Sequence, residues 1–512
     1  MNINNKSFNN IFRKVFQTFS IILFFYYIFN NLKTNIYEVL FIDERMLIDD
    51  IYNLWLLEDL YDRFSNISNP ILKNLLIIFI EIAYGGDLRY GRLWSNLFTL
   101  LIGPFTLIND SVVIVLTRAL NATLFFIGSY LLSKIIVNKE HEWLVVFSIY
   151  ALPAVDYFHR IPKPDTLLFI FVALGIKAII DKKFYKAILF LAIATFIKIN
   201  TAVVFFFLWI YMLQRTSESK SLFVLKTTGI TLSSIVIVNP ILLIPPVQIG
   251  NINLPNFYKI YINWLTTQSS NGDVIIFSLN NIYKWIETFS SFYKFSNVNY
   301  FVLLGLSLLF TTYFKVIKSS DSLAKCLLLI ASVYFLFYFG FIERQYTHYL
   351  HLPLSLLIIS FIRVLSGKSY KNIAFGILII IGLLGNFTNI ERFNKDVEFN
   401  PNYRYGYESI NNVSDAEKLV NKIIDELNLI YNSNNHLDKK LVYWHPDLYM
   451  PRNNVTYIGS FFVREYWGNK ESVDFAINNA DIFVTYTDYE IPENVNKSKI
   501  ENYFIYYIKS LD

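Results

Sequence analysis

A single cysteine, Cys326, sits inside a hydrophobic stretch, so neither a disulfide framework nor a thiolate metal centre is available within one chain. The six histidines are scattered and show no HExxH or similar spacing, so no metal ligand set is read from them. Charge is scarce as well: 17% of the 512 residues are charged, against roughly a quarter in soluble proteins. The net charge of +5 is not gathered into a basic arm or recognition helix, which excludes nucleic acid as a partner. What replaces charge is apolar surface. Hydrophobic residues make up 54% of the chain and the mean hydropathy is +0.39, which excludes an ordinary soluble globule. The abundance of Ile, Asn, Lys, Phe and Tyr follows the coding bias of an AT-rich genome and carries no functional information.

A membrane-crossing helix needs roughly 20 apolar residues, fewer where it is packed behind others. The hydropathy pattern predicts an α-helical polytopic membrane protein with about eleven transmembrane helices. They are 15–29, 112–136, 143–158, 166–180, 185–197, 202–213, 227–244, 300–314, 324–342, 348–362 and 373–387. Lysines and arginines in short loops set the orientation. Lys6, Arg13 and Lys14, then Lys134 and Lys139, then Lys182, Lys183 and Lys186 all fall on one side of this path. Arg215, Lys220 and Lys226, Lys315, Lys318 and Lys325, and Arg363, Lys368 and Lys371 fall there too. That side is expected to be cytoplasmic, with the N-terminus in and the C-terminus out, in a bacterial plasma membrane of the cell envelope. The short pair 185–197 and 202–213 is expected to be two helices meeting near Asn200, because Lys186 and Arg215 are both inner-side charges. No small-residue cleavage site follows the first span, which is therefore expected to be retained.

Two domains follow: residues 1–390 as a transmembrane domain that includes outer loops 30–111 and 245–299, and residues 391–512 as a small extracytoplasmic α/β domain. In the latter, SDAEKLVNKIIDEL opens with a capping box of Ser414 and Glu417 and carries apolar residues at helical spacing. KLVYW and ADIFVTY read as strands, with a helical ESVDFAINNA before the second. In the first outer loop, DDIYNLWLLEDLYDRF and RLWSNLFTLLIGPF are amphipathic and aromatic-rich, and are expected to lie along the membrane surface.

The outer side also gathers the residues able to do chemistry. Asp43 and Glu44 in VLFIDERMLIDD stand just beyond the first span. DYFHRIPKPD packs Asp156, His159, Arg160, Lys163 and Asp165 into one short loop, where ionisable groups at span ends are functional candidates. The plainer reading is that Arg160 and Lys163 reach to headgroups while Asp165 caps the next helix. Pro164 fits the first turn of that helix. Lys198 lies at the turn of the short pair, and Arg344, His348 and His351 lie in ERQYTHYLHLPL. GGDLRYGRLW adds Asp87, Arg89 and Arg92 at a Gly-Gly turn, which read alone is simply a turn. Outer-side cations run against the charge rule, and together they form a basic lining suited to an anionic phosphate. A lipid-linked phosphate donor fits: its tail stays in the membrane lipid, its phosphate meets Lys and Arg, and its head group meets carboxylates. A carboxylate then serves as general base on an acceptor hydroxyl, or holds a divalent cation that stabilises the leaving phosphate.

In this order the motifs resemble the GT-C superfamily of membrane glycosyltransferases. It includes the protein O-mannosyltransferases, the aminoarabinose transferases of lipid A and the catalytic subunit of oligosaccharyltransferase. The features that match are the early Asp43-Glu44 pair, RALNATLFFIGSYLLSKII, KPD opening the fourth span, ATFIKINTAVVFFFLW, RQYTHYLHLPL and an outer C-terminal domain. The resemblance covers about residues 10–390 well and the last domain loosely. It implies inverting transfer of a sugar from a polyprenyl-phosphate donor to a glycan, lipid or protein acceptor. By match, Asp43 is the expected base with Glu44 beside it. Asp156, Arg160, Lys163, Asp165, Lys198, Arg344, His348 and Arg89 are the expected donor-binding residues. The second loop has no DxD, which puts a metal requirement of the oligosaccharyltransferase kind in question, and no WWDYG-like segment is present.

A transporter or lipid flippase is the alternative, and calls for broken polar helices near the bilayer midplane in repeated halves. No internal repeat is seen, and Asn239-Pro240 is the main polar break within a span. A non-catalytic assembly subunit of an envelope complex is the third reading.

Overall fold

The computed structural model describes residues 3–31, 47–48, 50–52, 55, 68–84, 92–108, 110–136, 139–152, 155–240, 247–249, 252–254, 277–292, 294–295, 298–299, 313–342, 347–365, 371–394, 425, 440–443, 456–457, 482–485, 495–500 and 503–507. These residues are mostly helical. In chain order the helices are α1 (Ile3–Asn31), α2 (Pro70–Tyr84), α3 (Arg92–Ile102), α4 (Asp110–Ser133), α5 (Glu142–Tyr150), α6 (Val155–Arg160) and α7 (Pro164–Ile180). They continue with α8 (Phe184–Ile197), α9 (Ala202–Leu213), α10 (Lys220–Val238), α11 (Leu279–Phe292), α12 (Ser322–Phe341), α13 (His351–Leu365) and α14 (Lys371–Asn394). Five are long and apolar enough to cross a membrane: Asn10–Asn30, Val112–Ser133, Lys220–Val238, Ser322–Phe341 and His348–Leu365. Phe184–Ile197, Ile199–Leu213 and Leu378–Glu391 are shorter apolar helices.

One of the expected spans comes out differently in detail, and the expected break in the short pair is present. The stretch 143–158 is not one helix: α5 ends at Tyr150 and α6 begins at Val155. The paired stretch is two helices, because Lys198 adopts extended backbone and a 3-10 turn, Ile199–Thr201, follows before α9. The expected span 300–314 lies outside the described residues except for its last two positions.

The chain divides into two units, the first made of residues 1–31, 119–238 and 262–397. Its core is apolar helix against helix. Buried polar groups sit where the backbone would otherwise leave carbonyls unpaired, as low-dielectric surroundings require. At the C-terminus of α5, Asn389 of α14 donates to Tyr150 O and Leu152 O, both at 3.0 Å. Asn386 donates to Phe147 O at 3.2 Å. These bonds need the helices nearly in contact, and Gly385 allows it: a Cβ there would stand 2.3 Å from Ala151 O.

The hairpin of α12 and α13 is fastened at its open end. Asp321 caps α12 through Leu323 N and Ala324 N at 3.0 Å each, and its other oxygen accepts from Arg363 of α13 at 2.9 Å. The same guanidinium donates to Ile135 O beyond α4.

The second unit comprises residues 32–118, 239–261 and 398–512. In it Asn69 caps α2 by accepting from Ile71 N and Leu72 N, with Pro70 at the first helical position. Arg92 opens α3 in a buried contact with Asp50 at 3.5 Å and donates to Ser95 Oγ at 2.9 Å. Leu100 and Leu101 are exposed on α3, as are Ile71, Leu72 and Leu75 on α2. Earlier in the chain β1 (Val247–Ile249) pairs with β2 (Ile252–Leu254), and β3 (Lys294–Phe295), which belongs to the first unit, pairs with β4 (Val298–Asn299). A five-stranded sheet is made of β5 (Lys440–Tyr443), β6 (Thr456–Tyr457), β7 (Ile482–Thr485), β8 (Asn496–Ile500) and β9 (Tyr503–Tyr507), in the order β6-β5-β7-β9-β8. Its two central parallel neighbours, β5 and β7, are the strands expected from KLVYW and ADIFVTY, with Leu441 opposite Ile482. β9 pairs antiparallel with both β7 and β8. The capping box at Ser414 and the helix expected at 471–480 lie outside the described residues.

Candidate functional site

The site grows from one buried asparagine. In the first unit, Asn121 of α4 has no exposure and faces the link between α6 and α7. Its Nδ2 donates to Phe158 O at 2.6 Å and to Ile161 O at 3.0 Å. Its Oδ1 accepts from Lys163 N at 3.1 Å and lies 2.9 Å from the Thr166 hydroxyl. Both donor hydrogens and both acceptor lone pairs are thus occupied. A proline supplies the rest of the shape. Pro164 takes the first helical position of α7 and holds the preceding Lys163 in extended backbone, φ −138° and ψ 143°.

This link delivers Lys163 and Asp165 to one place. Asp165 is not a helix cap: its carboxylate takes both hydrogen bonds from Lys198, at 2.9 and 2.8 Å. Neither side chain is open to solvent, with 13% of Lys198 and 9% of Asp165 exposed. The turn that carries Lys198 is pinned in its own right, since Asn200 Nδ2 donates to the Tyr338 hydroxyl at 2.9 Å and Tyr334 donates to Asn200 O at 2.8 Å. Tyr334, Tyr338 and Tyr349 stack in sequence, centroids 5.8 and 5.4 Å apart, and the Lys198 ammonium lies 5.2 Å from the Tyr349 ring centre.

Lys163 is buried, and it does not reach outward to headgroups. Burial lowers its pKa well below the ordinary lysine range; the Lys198 ammonium pushes the same way and Asp165 partly opposes. His348 completes the group, buried and within electrostatic reach of both lysines. Two amines therefore stand close to a single carboxylate, with an imidazole next to the amines.

Beside the cluster lies an aromatic shell. His159 of α6 stacks on Tyr27 of α1 at 4.1 Å with the rings 6° from parallel, and Phe125 and Tyr150 close the other sides. Burial, then the neighbouring His351, lower the His159 pKa to about 3, so this imidazole is neutral near pH 7. His351 packs against Phe125, Phe158 and Phe169 at 5.0 to 5.2 Å.

Of the expected site residues, the fold brings together Lys163, Asp165, Lys198 and His348. Asp156 and Arg160 belong to α6, but their side chains lie outside the described residues. Asp43, Glu44, Arg89 and Arg344 lie outside them entirely. Sequence reasoning passed over Asn121 and the tyrosine stack. A signal for the first was present: Asn121 is a polar residue deep in an apolar span, which is a functional candidate by default. Among the described residues no group of three or more His, Cys, Asp or Glu side chains suits a metal ion.

Chemically, the cluster suits an anion. Its Lys198 ammonium is held before any ligand arrives, in surroundings that strengthen charge–charge attraction, and lysine meets phosphate as a point charge. Comparison with protein-family models, with curated proteins and with solved structures finds no match to this chain.

Proposed function

We propose that the chain is a membrane glycosyltransferase of the GT-C kind, moving a sugar from a polyprenyl-phosphate donor to a glycan, lipid or protein hydroxyl. The observation that carries this reading is the largely buried cluster of Lys163, Asp165, Lys198 and His348, set among helices apolar enough for a bilayer. In the proposed arrangement the polyprenyl tail lies in the bilayer and the phosphate displaces Asp165 from Lys198. The acceptor oxygen bonds to the sugar's anomeric carbon as that carbon's bond to the phosphate oxygen breaks, inverting its configuration. The acceptor's proton passes to Asp43, with Glu44 beside it, and polyprenyl phosphate leaves. Negative charge grows on the phosphate along this path, so fixed cations stabilise the transition state more than the ground state. The full reading includes eleven spans in a bacterial plasma membrane, a cytoplasmic N-terminus and an extracytoplasmic C-terminal domain.

The test is transfer by purified protein from a panel of radiolabelled polyprenyl-phosphate sugars. Lys198→Met and Asp43→Ala should each abolish product. Wild-type transfer by Asp43→Ala would remove the base, and no turnover with any donor would remove the enzyme. A lipid flippase is the second reading, favoured by the helix ends at Tyr150 and Ile197 beside buried ionisable groups. Movement of a fluorescent phospholipid analogue across proteoliposomes without any transfer would favour it.

A further inference from the structure

Helix α11 presents three different faces. Asn281 and Trp285, one turn apart, are buried. Leu279, Tyr283 and Ile286, spaced i, i+4 and i+7, are 74%, 66% and 46% exposed. Lys284 and Glu287 form the third stripe and are exposed beside the apolar one.

The buried stripe satisfies the end of a span. The last carbonyls of any helix lack partners within it, and α12 ends at Phe341 with Ile342 in extended backbone. Asn281 Nδ2 donates to Phe339 O and Ile342 O, each at 2.9 Å, and Trp285 Nε1 donates to Ile342 O at 2.9 Å. Ser278 N adds a bond to Gly340 O at 3.3 Å. Since α12 is long and apolar enough to cross a bilayer, this end lies where hydrocarbon gives way to headgroups.

The exposed stripe continues the apolar surface of α12. Leu329, Leu336 and Phe337 are exposed along that helix. From Phe337 an aromatic path runs through Phe341, 6.2 Å away, to Phe277, a further 5.6 Å on and just before α11. A surface that starts as the flank of a span and ends on Leu279, Tyr283 and Ile286 has one occupant suited to its whole length, which is lipid. Tyrosine suits the boundary, and the Lys284–Glu287 stripe suits the water side.

We propose that α11 is an interfacial membrane helix, lying in the plane of the bilayer boundary with Leu279, Tyr283 and Ile286 in lipid and Asn281 and Trp285 clamping the end of α12. Membrane embedding of α12 is all that this seat requires; the chemistry of the lysine cluster plays no part in it.

The test uses the full chain carrying Cys326→Ala, reconstituted in nanodiscs of phosphatidylcholine and phosphatidylglycerol. Nitroxide labels are placed singly at Leu279→Cys, Tyr283→Cys, Ile286→Cys and Lys284→Cys, with Leu336→Cys as the bilayer reference. Power saturation is measured with oxygen, which concentrates in lipid, and with a water-soluble nickel chelate. The oxygen-to-nickel accessibility ratio at Leu279 and Ile286 should be several-fold above that at Lys284 and should approach that at Leu336. A ratio no higher than at Lys284 overturns the proposal. Low accessibility to both reagents overturns it as well, because the face is then covered by protein, whether a second copy or another part of the chain. Should one label disturb the fold, the other two apolar positions read the same face independently. A Leu336 label open to nickel would show that the flank itself is not in lipid, and the seat falls with it.

Discussion

The contact between α14 and α5 makes a prediction of opposite sign at two glycines of one helix. At Gly385 an added Cβ would lie 2.3 Å from Ala151 O and 2.9 Å from Ala151 Cβ, whereas ordinary contact starts at 3.4 Å. The neighbour is backbone and cannot rotate away, so α14 must retreat from α5. Overpacking of this kind costs about 1–3 kcal/mol. Retreat also stretches the three amide bonds from Asn386 and Asn389 to Phe147 O, Tyr150 O and Leu152 O, each worth roughly 0.6 kcal/mol in a membrane setting. Alanine returns about 1 kcal/mol of helix propensity, which leaves Gly385→Ala destabilised by about 2–4 kcal/mol. At Gly376 an added Cβ meets nothing within 4 Å, so Gly376→Ala keeps only the propensity gain, up to about 1 kcal/mol. Reversible unfolding in mixed micelles, titrated with a denaturing detergent, reads both. Equal shifts in the same direction, or a Gly385→Ala protein as stable as wild type, would refute the close-contact account.

Three further outcomes follow from the site. Asn121→Leu strips four hydrogen bonds from the α6–α7 link and should lower unfolding stability by about 2–4 kcal/mol. Asn121→Asp keeps the two acceptor contacts but sets a buried carboxylate oxygen against Phe158 O and Ile161 O, so at neutral pH it should be no more stable than Asn121→Leu in the same titration. Lys198→Met leaves Asp165 as a mostly buried unpaired carboxylate and should cost about 3 kcal/mol; the double variant with Asp165→Leu should recover much of it, and a strictly additive double-mutant cycle would contradict the pairing. The pH dependence has a definite sign. The His159 pKa is lowered from 6.5 to about 3 in the fold, so its neutral form stabilises the folded state, fully so above pH 6.5. That contribution is lost as pH falls from 6.5 toward 3, by about 1.4 kcal/mol per pH unit. His159→Phe should therefore flatten the fall in stability between pH 7 and pH 5, and an unchanged slope would show that His159 is not the buried neutral group.

Local properties of the chain carried a good part of the description. A break between two short helices at Lys198 follows from inner-side charges flanking two apolar runs, and the structure has it. Extended backbone at Lys163 follows from the proline after it. The strands at 440–443 and 482–485 follow from apolar runs bounded by polar ones. By contrast, the stretch 143–158 is apolar throughout, and nothing in its hydropathy marks the interruption after Tyr150. Its last carbonyls are met by Asn386 and Asn389, more than 230 residues away. The hairpin β8–β9 escaped notice because Lys497 and Lys499 make its first strand look like a polar tail.

Hydropathy, helix length and charge placement are sums over neighbouring residues, so the sequence by itself determined a helical chain suited to a membrane and marked which ionisable residues stand at helix ends. It also named Lys163, Asp165, Lys198 and His348 as candidates one at a time. Only the tertiary structure decided that these four share one buried cluster, that Asn121 holds the link carrying two of them, and that Gly385 is a contact while Gly376 is not. The physical reason is distance along the chain. Lys198 meets Asp165 across 33 residues and Asn121 meets Lys163 across 42, and such pairings depend on how helices pack, which no local average contains.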